Sequence, residues 1–384
     1  MRQNKHTLVS KSPLSTGEGV GGEVLTIDDI IFKIVDLQES ADRKYFPEGL
    51  FESYRENTLL HYRRPDTNVF FTAITVFTLN SIKEKLSISS QILIEKITEK
   101  AIATYPLFQN KDGLNTYNFF QTKPSQHFPH GNVLHKLNHF KIPDDIDDTS
   151  MVFLTKKHSQ EEAIWLKNKL IVHSNTYQKT IQNTFQEYKS LKAYSTWFGK
   201  NMYIEFDTCA LSNMLYCLLS YNLELDECGQ DSVKYIQQTI LSNQYLDKPF
   251  KVAHQYARTP LIMYHVARLM SRFSIPALEI CREKLVTDML NYLKKPDLAL
   301  MDRILIETSL SRLNISFEKT NITDFSKEIF ADFYFFIAGF LTAYENPVLY
   351  KMASSKLFHI NWTCEAHCWA LLAEWMSISS QKDS

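Results

Sequence analysis

Glycine is scarce in this chain, ten in 384 residues, and four of the ten gather between Gly17 and Gly22. Little remains elsewhere for the glycine-rich loops that cradle phosphates. Gly17, Gly19 and Gly22 do fit G-x-G-x-x-G, but no apolar strand precedes them and no βαβ pattern follows, so the dinucleotide context is missing. An excess of charge is missing too: 42 Lys and Arg stand against 43 Asp and Glu, with an isoelectric point near 6.9. No global field exists to hold nucleic acid, and membrane contact is expected to be peripheral at most. The six cysteines (Cys209, Cys217, Cys228, Cys281, Cys364 and Cys368) lack the spacing of a disulfide framework, and the start of the chain lacks the apolar run of a signal peptide. A reducing cytoplasm is the expected compartment. Apolar runs such as Phe333 to Leu341 are far too short to span a bilayer.

Aromatic rings are plentiful: 25 Phe, 19 Tyr and 5 Trp make up 13% of the chain. They serve either as ordinary core or as the lining of a pocket whose ring faces suit an apolar or cationic guest. Residues 1–24 are polar, Gly-rich and aperiodic, and read as a disordered leader. From Ile27 onward apolar residues recur at three and four spacing without sustained two-residue alternation. Helices are expected over Thr67 to Ile82, Ser89 to Thr104, Asp147 to His158, Glu161 to Val172, Tyr177 to Leu191, Asp207 to Ser220, Asp231 to Ser242, Pro260 to Phe273, Pro276 to Leu293, Pro296 to Leu313, Ser326 to Tyr344 and Thr363 to Ser377. Pro260, Pro276 and Pro296 stand where first-turn prolines belong, and Asp207 and Asp231 where N-caps belong. The expected fold is all-α, one compact domain over residues 25–384. Only residues 105–143 break the pattern, as a loop-rich excursion of the kind that surrounds sites.

That excursion arrives at Pro143-Asp144-Asp145-Ile146-Asp147-Asp148-Thr149-Ser150-Met151, the most chemically loaded stretch of the sequence. Carboxylates this close repel unless they cap a helix, share a proton or bind a cation. Three readings stay open. As a proton donor, a carboxyl held among other carboxylates could protonate an isolated alkene, and ring faces around a dry cavity would stabilise the carbocation. As a metal site, Asp144, Asp145 and Asp148 satisfy D-D-x-x-D and could bind Mg²⁺ to ionise a diphosphate, although no second acidic motif accompanies them. As a helix start, an acidic first turn simply complements the helix dipole.

The run Asp145-Ile146-Asp147-Asp148-Thr149-Ser150-Met151 resembles the D-x-D-D-T-A motif of class II terpenoid cyclases. The resemblance extends loosely from about Phe70 to Trp375 through the helical pattern, the aromatic content and the Asp207-Thr208-Cys209-Ala210-Leu211-Ser212-Asn213 helix start. It implies a single α/α toroid and protonation-initiated cyclisation of a polyprenyl substrate, as a free isoprenoid or its diphosphate. By direct match Asp147 would deliver the proton, Asp145 and Asp148 would tune it, and Thr149 would lend hydrogen-bond support. Protonation would need no cofactor, and Mg²⁺ would enter only through a diphosphate. The repeated Gln-to-Trp spacing of squalene-type enzymes is missing. The chain is also short for two toroids, which implies either a self-sufficient single toroid or completion by a partner subunit or a homodimer. A catalytically silent toroid that binds an apolar ligand or a partner protein is the competing class.

Three further groups have chemical and bland readings. Asp207 and Cys209 resemble two of the three zinc ligands of protein prenyltransferases, yet an N-cap and a buried thiol explain them without metal. Cys364, His367 and Cys368 share a helix face that permits a metal, but their apolar surroundings suit a core helix better. His265, Arg268 and Arg272 form a stripe near Tyr256, Arg258 and Tyr264, in which Arg258 and Arg268 are candidate diphosphate contacts against the reading of a solvated helix face.

Overall fold

Thr26 opens the first helix with a reciprocal cap: its hydroxyl accepts from the Asp29 N–H while the Asp29 carboxylate accepts from the Thr26 N–H, starting α1 (Ile27–Glu39). In the computed structural model, which describes residues 25–131, 136, 141–322, 325–338 and 346–379, the chain is mostly helical with one small antiparallel sheet. A hairpin of β1 (Tyr54–Asn57) and β2 (Tyr62–Pro65) follows α1, then α2 (Phe70–Ile82), α3 (Ile88–Thr104), α4 (Ile146–Thr155) and α5 (Gln160–Val172). Next come α6 (Thr208–Ser220), α7 (Glu227–Leu241), α8 (Gln244–Asp247), α9 (Pro249–Val252), α10 (Thr259–Arg272), α11 (Pro276–Glu279), α12 (Arg282–Leu293) and α13 (Leu300–Arg312). The chain then gives β3 (Phe336–Ala338), α14 (Pro347–Ala353), β4 (Ile360–Thr363) and α15 (Glu365–Ser379).

Burial orders these helices. Every residue of α2 from Phe70 to Leu79 is buried, and so are ten of the thirteen residues of α6 and nearly all of α10 and α13, so these helices have protein on every side. Their packing is cyclic: α2 lies against α4, α4 against α6, α6 against α10, α10 against α13, α13 against α15, and α15 returns to α2. The helices α1, α3, α7 and α12 pack outside this cycle. Buried apolar residues form one cluster running from Ile30 in α1 to Trp375 in α15.

The sheet corrects the all-α expectation. Its order is β2-β1-β4-β3, and its strands are three or four residues long, too short to leave an alternating signature. Its central pairing joins distant parts of the chain, Arg55 opposite Trp362. Arg55 is wholly buried, pairs with Asp66 at 2.5 Å, and donates to the carbonyls of Phe128 and Pro129. The 105–131 excursion is thereby tied to the sheet.

Several expected helices also differ. Tyr177 to Leu191 is a loop containing one 3-10 turn, because buried Asn175 binds it: Oδ1 accepts from the Ile181 N–H, and Nδ2 donates to the Lys189 and Leu191 carbonyls. Ser326 to Tyr344 becomes a 3-10 turn (Lys327–Phe330) and β3, with residues 339–344 outside the described residues. Pro296 precedes α13 instead of opening it, and the cap of α7 is Asp226, while Asp231 accepts from the Lys192 N–H. The helix expected from Pro276 is broken between Glu279 and Arg282. The leader over residues 1–24 lies outside the described residues.

Candidate active site

The acidic run is a helix start with a consequence. Asp145 is the N-cap of α4, and its Oδ1 accepts from the N–H groups of Asp147 (2.9 Å) and Asp148 (2.8 Å). With Asp145 holding the cap, Ile146 turns into the protein and the next two carboxyls project from the first turn at the end of a buried helix. Asp144 is held apart from them: Asn110, Thr116 and Asn118 all donate to its carboxylate. That engagement removes one member of the D-D-x-x-D alternative, and among the described residues no group of three or more His, Cys, Asp or Glu is arranged to hold a metal ion.

Asp147 faces inward across the helix cycle. Its Oδ1 accepts from Asn213 Nδ2 on α6 at 2.6 Å, and its Oδ2 accepts a short hydrogen bond from the Tyr256 hydroxyl. The orientation of the Asn213 amide is fixed by Arg268 on α10, which donates to Asn213 Oδ1 and so turns the NH₂ toward Asp147. Arg268 is itself buried, its guanidinium lying 4.9 Å from the Phe77 ring centroid and 5.2 Å from that of Tyr264. A cation, an amide, a carboxyl and a phenol therefore form one chain inside the protein.

Burial pushes the Asp147 carboxyl above its ordinary range, while the bonds from Asn213 and Tyr256 and the Arg268 charge pull it back. Asp145 and Asp148 are a coupled pair. Burial and then the neighbouring Asp145 charge hold Asp148 well above the usual range, whereas Asp145 is raised less, to about 7, because hydrogen bonding from Asp148 supports its charge. Asp148 is thus the member that keeps a proton, and its Oδ1 is buried without a hydrogen-bond partner.

All three carboxyls line one cleft of about 790 Å³, counted out to its solvent mouth. The rings of Phe70, Phe119, Phe336, Trp362 and Tyr256 make much of the remaining wall. Phe336 stands at the centre of a ring cluster, 5.3 Å from Phe70, 5.5 Å from Phe119 and stacked on Trp362 at 5.4 Å between centroids. The sheet supplies Phe336 and Trp362, which is why the short strands matter to the site.

Behind the wall lies a second buried carboxyl pair. Asp207 caps α6 through the Cys209 and Ala210 N–H groups and accepts from the Gln255 N–H at 2.8 Å. Glu205 accepts from Gln255 Nε2 and points its other oxygen to 3.7 Å from His254 Nδ1. Burial lifts Asp207 to about 7 and Glu205 to about 8.

Other expected site residues lie elsewhere. Thr149 does not support the acid: its hydroxyl accepts from the Tyr117 N–H and holds the excursion against α4. Arg258 pairs with Asp302 and donates to the Tyr334 carbonyl, away from the cleft lining, and Arg272 is exposed, so the basic stripe does not converge. Arg268 reaches the site through its hydrogen bond to Asn213 and through its charge on Asp147. His367 is 3.3 Å from the Thr75 hydroxyl and packs edge-on to Phe335, while burial raises both the Cys364 and Cys368 thiols. Asn213 was the missed residue, and its signal was a polar amide inside the apolar run Leu211-Ser212-Asn213-Met214-Leu215. Comparison of the chain with protein-family profiles, curated proteins and solved structures gives no match.

Proposed function

We propose that the protein is a class II terpenoid cyclase-like enzyme in which the six-helix cycle is the inner ring of an α/α toroid and Asp147 protonates an isoprenoid alkene. One observation carries this reading: Asp145, Asp147 and Asp148 all open onto the ring-lined cleft. Burial raises the Asp147 carboxyl and favours its protonated form, while the hydrogen bonds from Asn213 and Tyr256 and the Arg268 charge favour the carboxylate left once the proton has gone to an alkene. As the proton passes to the alkene carbon, the π pair forms the new C–H bond and positive charge develops on the adjacent carbon. The carboxylate left behind is held by Asn213 and Tyr256 and balanced by Arg268. Ring faces of Phe336, Trp362 and Tyr256 stabilise the cation, each contributing up to about 2 kcal/mol when water is excluded. Asp148, which retains its proton, is the near source for restoring Asp147.

A second reading has its own support. Among the described residues the cleft lining contains no Lys, Arg or His, so a diphosphate buried there would find no cation. This favours a substrate whose buried end is uncharged, or a silent pocket for an apolar ligand.

The test is incubation with farnesyl, geranylgeranyl and longer prenyl diphosphates and the corresponding free prenols, with and without Mg²⁺, beside Asp147→Asn. Phosphatase treatment and mass spectrometry follow. A cyclised product that vanishes in the variant is the expected result. Recovery of unchanged substrate throughout, with an apolar ligand still bound, would transfer the assignment to the silent pocket.

A further inference from the structure

The segments 57–65 and 346–364 meet at one end of the sheet. The β1–β4 pairing carries the hairpin tip beside the turn that precedes β4, and Asn57 Nδ2 donates to the carbonyls of both Leu357 (3.0 Å) and His359 (2.8 Å). Six large apolar side chains are left facing solvent there: Leu59, Leu60, Val348, Leu349, Met352 and Leu357. Three of them are more exposed than buried, Val348 at 70%, Leu59 at 64% and Leu60 at 60%. The helix α14 explains part of the arrangement. Tyr350 and Ala353 face the protein, Tyr350 through His254 and Phe250, while Val348, Leu349 and Met352 occupy the opposite side.

Charge distinguishes this patch from a surface awaiting another protein. The chain as a whole is neutral to within one unit, yet within 346–364 there are two lysines, Lys351 and Lys356, and no carboxylate. Within 57–65 there are two arginines, Arg63 and Arg64, and again no carboxylate. Lys351, Lys356, Arg63 and Arg64 are all exposed. Among the described residues, Arg63 pairs with Glu56 at 3.4 Å, and no ion pair within 4.0 Å joins Arg64, Lys351 or Lys356 to a carboxylate. Apolar side chains at a tip with cations around them match the layering of an anionic bilayer, where acyl chains lie beneath phosphate headgroups. The strand β3, whose Ala338 pairs with Ile360 at this end of the sheet, also lines the ring-walled cleft.

We propose that this patch is a docking surface for an anionic lipid bilayer, reached by shallow insertion of the hairpin tip and α14. The contact is peripheral: no helix among the described residues is long and apolar enough to cross a membrane. It stands apart from the chemistry in the cleft, since vesicle binding requires no turnover.

The experiment is co-sedimentation of the full chain with vesicles of phosphatidylcholine alone or of equimolar phosphatidylcholine and phosphatidylserine. Binding to the anionic vesicles, weakened by salt, is expected. The pair Leu59→Ser with Leu60→Ser should reduce partition at least about ten-fold. The charge reversal Lys351→Glu with Lys356→Glu leaves the apolar side chains in place and should reduce it at least about twenty-five-fold, taking about five-fold for each cation lost. Ile88→Ser, an equally exposed site on α3, should bind as the unaltered protein does. Failure to bind either vesicle would overturn the proposal, as would equal losses in Ile88→Ser. So would a lipid-free dimer that the leucine changes dissociate, which would assign the patch to a second copy of the chain.

Discussion

Replacing Asn213 by Leu removes an amide of similar size that serves two charged or chargeable groups at once. Its Oδ1 accepts from Arg268, and its Nδ2 donates to Asp147. The consequences differ because the two neighbours have different escapes. Asp147 can take up a proton and become neutral. Arg268 cannot, since a guanidinium stays charged at any accessible pH. With Nη1 of Arg268 already buried without a hydrogen-bond partner, loss of the Asn213 carbonyl leaves the cation stacked between Phe77 and Tyr264 without that acceptor. Removing a hydrogen bond to a buried charged group costs about 1.5–3 kcal/mol, a sizeable part of a typical domain's stability of about 5–15 kcal/mol.

Urea denaturation of Asn213→Leu, Arg268→Met and the double variant measures this. The single leucine change should lose about 1.5–3 kcal/mol, and the double variant should lose less than the sum of the singles by at least about 1 kcal/mol, because the orphaned cation is gone. The cost should also grow with pH. Without Asn213 the folded carboxyl of Asp147 rises further above its unfolded value of 3.8, and a raised carboxyl contributes stability that is lost as pH increases. Additivity of the two changes within about 0.5 kcal/mol would refute the reasoning, since it would mean that Arg268 does not depend on the amide.

Two further outcomes follow from the same site. Tyr256→Phe keeps the ring in the cleft wall but withdraws the hydroxyl from Asp147 Oδ2. The proposed cyclisation should slow about ten- to a hundred-fold, from about 1.5–3 kcal/mol for a hydrogen bond to a charged group, while its alkaline limb moves to higher pH because Asp147 is then a weaker acid; pH–rate profiles of the two proteins test both shifts. Glu205 has a folded value of about 8 against 4.5 unfolded, so its contribution to stability is complete below about pH 4.5 and disappears as pH rises through about 8. Glu205→Gln should remove that decline, gaining relative to the unaltered protein by about 1.4 kcal/mol per pH unit across the window, and a parallel curve in thermal melts from pH 5 to 8 would contradict it.

Helix periodicity and one of the two expected N-caps are legible in this sequence, whereas Asp231 is not the cap of α7. Asp207 before α6 announced its role through a short-range rule, and the helices over Thr208–Ser220, Gln160–Val172 and Thr259–Arg272 lie within a few residues of where three and four spacing puts them. Two of the misses come from contacts outside a local window. Strands of three or four residues exist here because Arg55 meets Trp362, and no local window contains both. Asn175 binds up Tyr177 to Leu191 through a buried amide, against a helical period that is real but weaker than three side-chain bonds to the backbone.

The acidic run shows where local reading stops. Four aspartates within five positions announce that something is shared among them, and, although the expected start at Asp147 lies one residue past the observed Ile146 with Asp145 as its cap, a helix start near them follows from sequence. What separates their charges does not. Asp144 is satisfied by Asn110, Thr116 and Asn118 from the excursion; Asp148 is coupled to Asp145 and held by burial well above the usual carboxylate range; Asp147 is the one that looks across the helix cycle to Asn213 and Tyr256, 66 and 109 residues away in the chain. Identical side chains thus receive three different environments from three different parts of the fold, and a carboxyl's chemistry is fixed by that environment and not by its place in a motif. The same reasoning demotes Arg258, whose charge is met by Asp302, and raises Arg268, whose influence on Asp147 is carried by an amide that composition and spacing left unmarked.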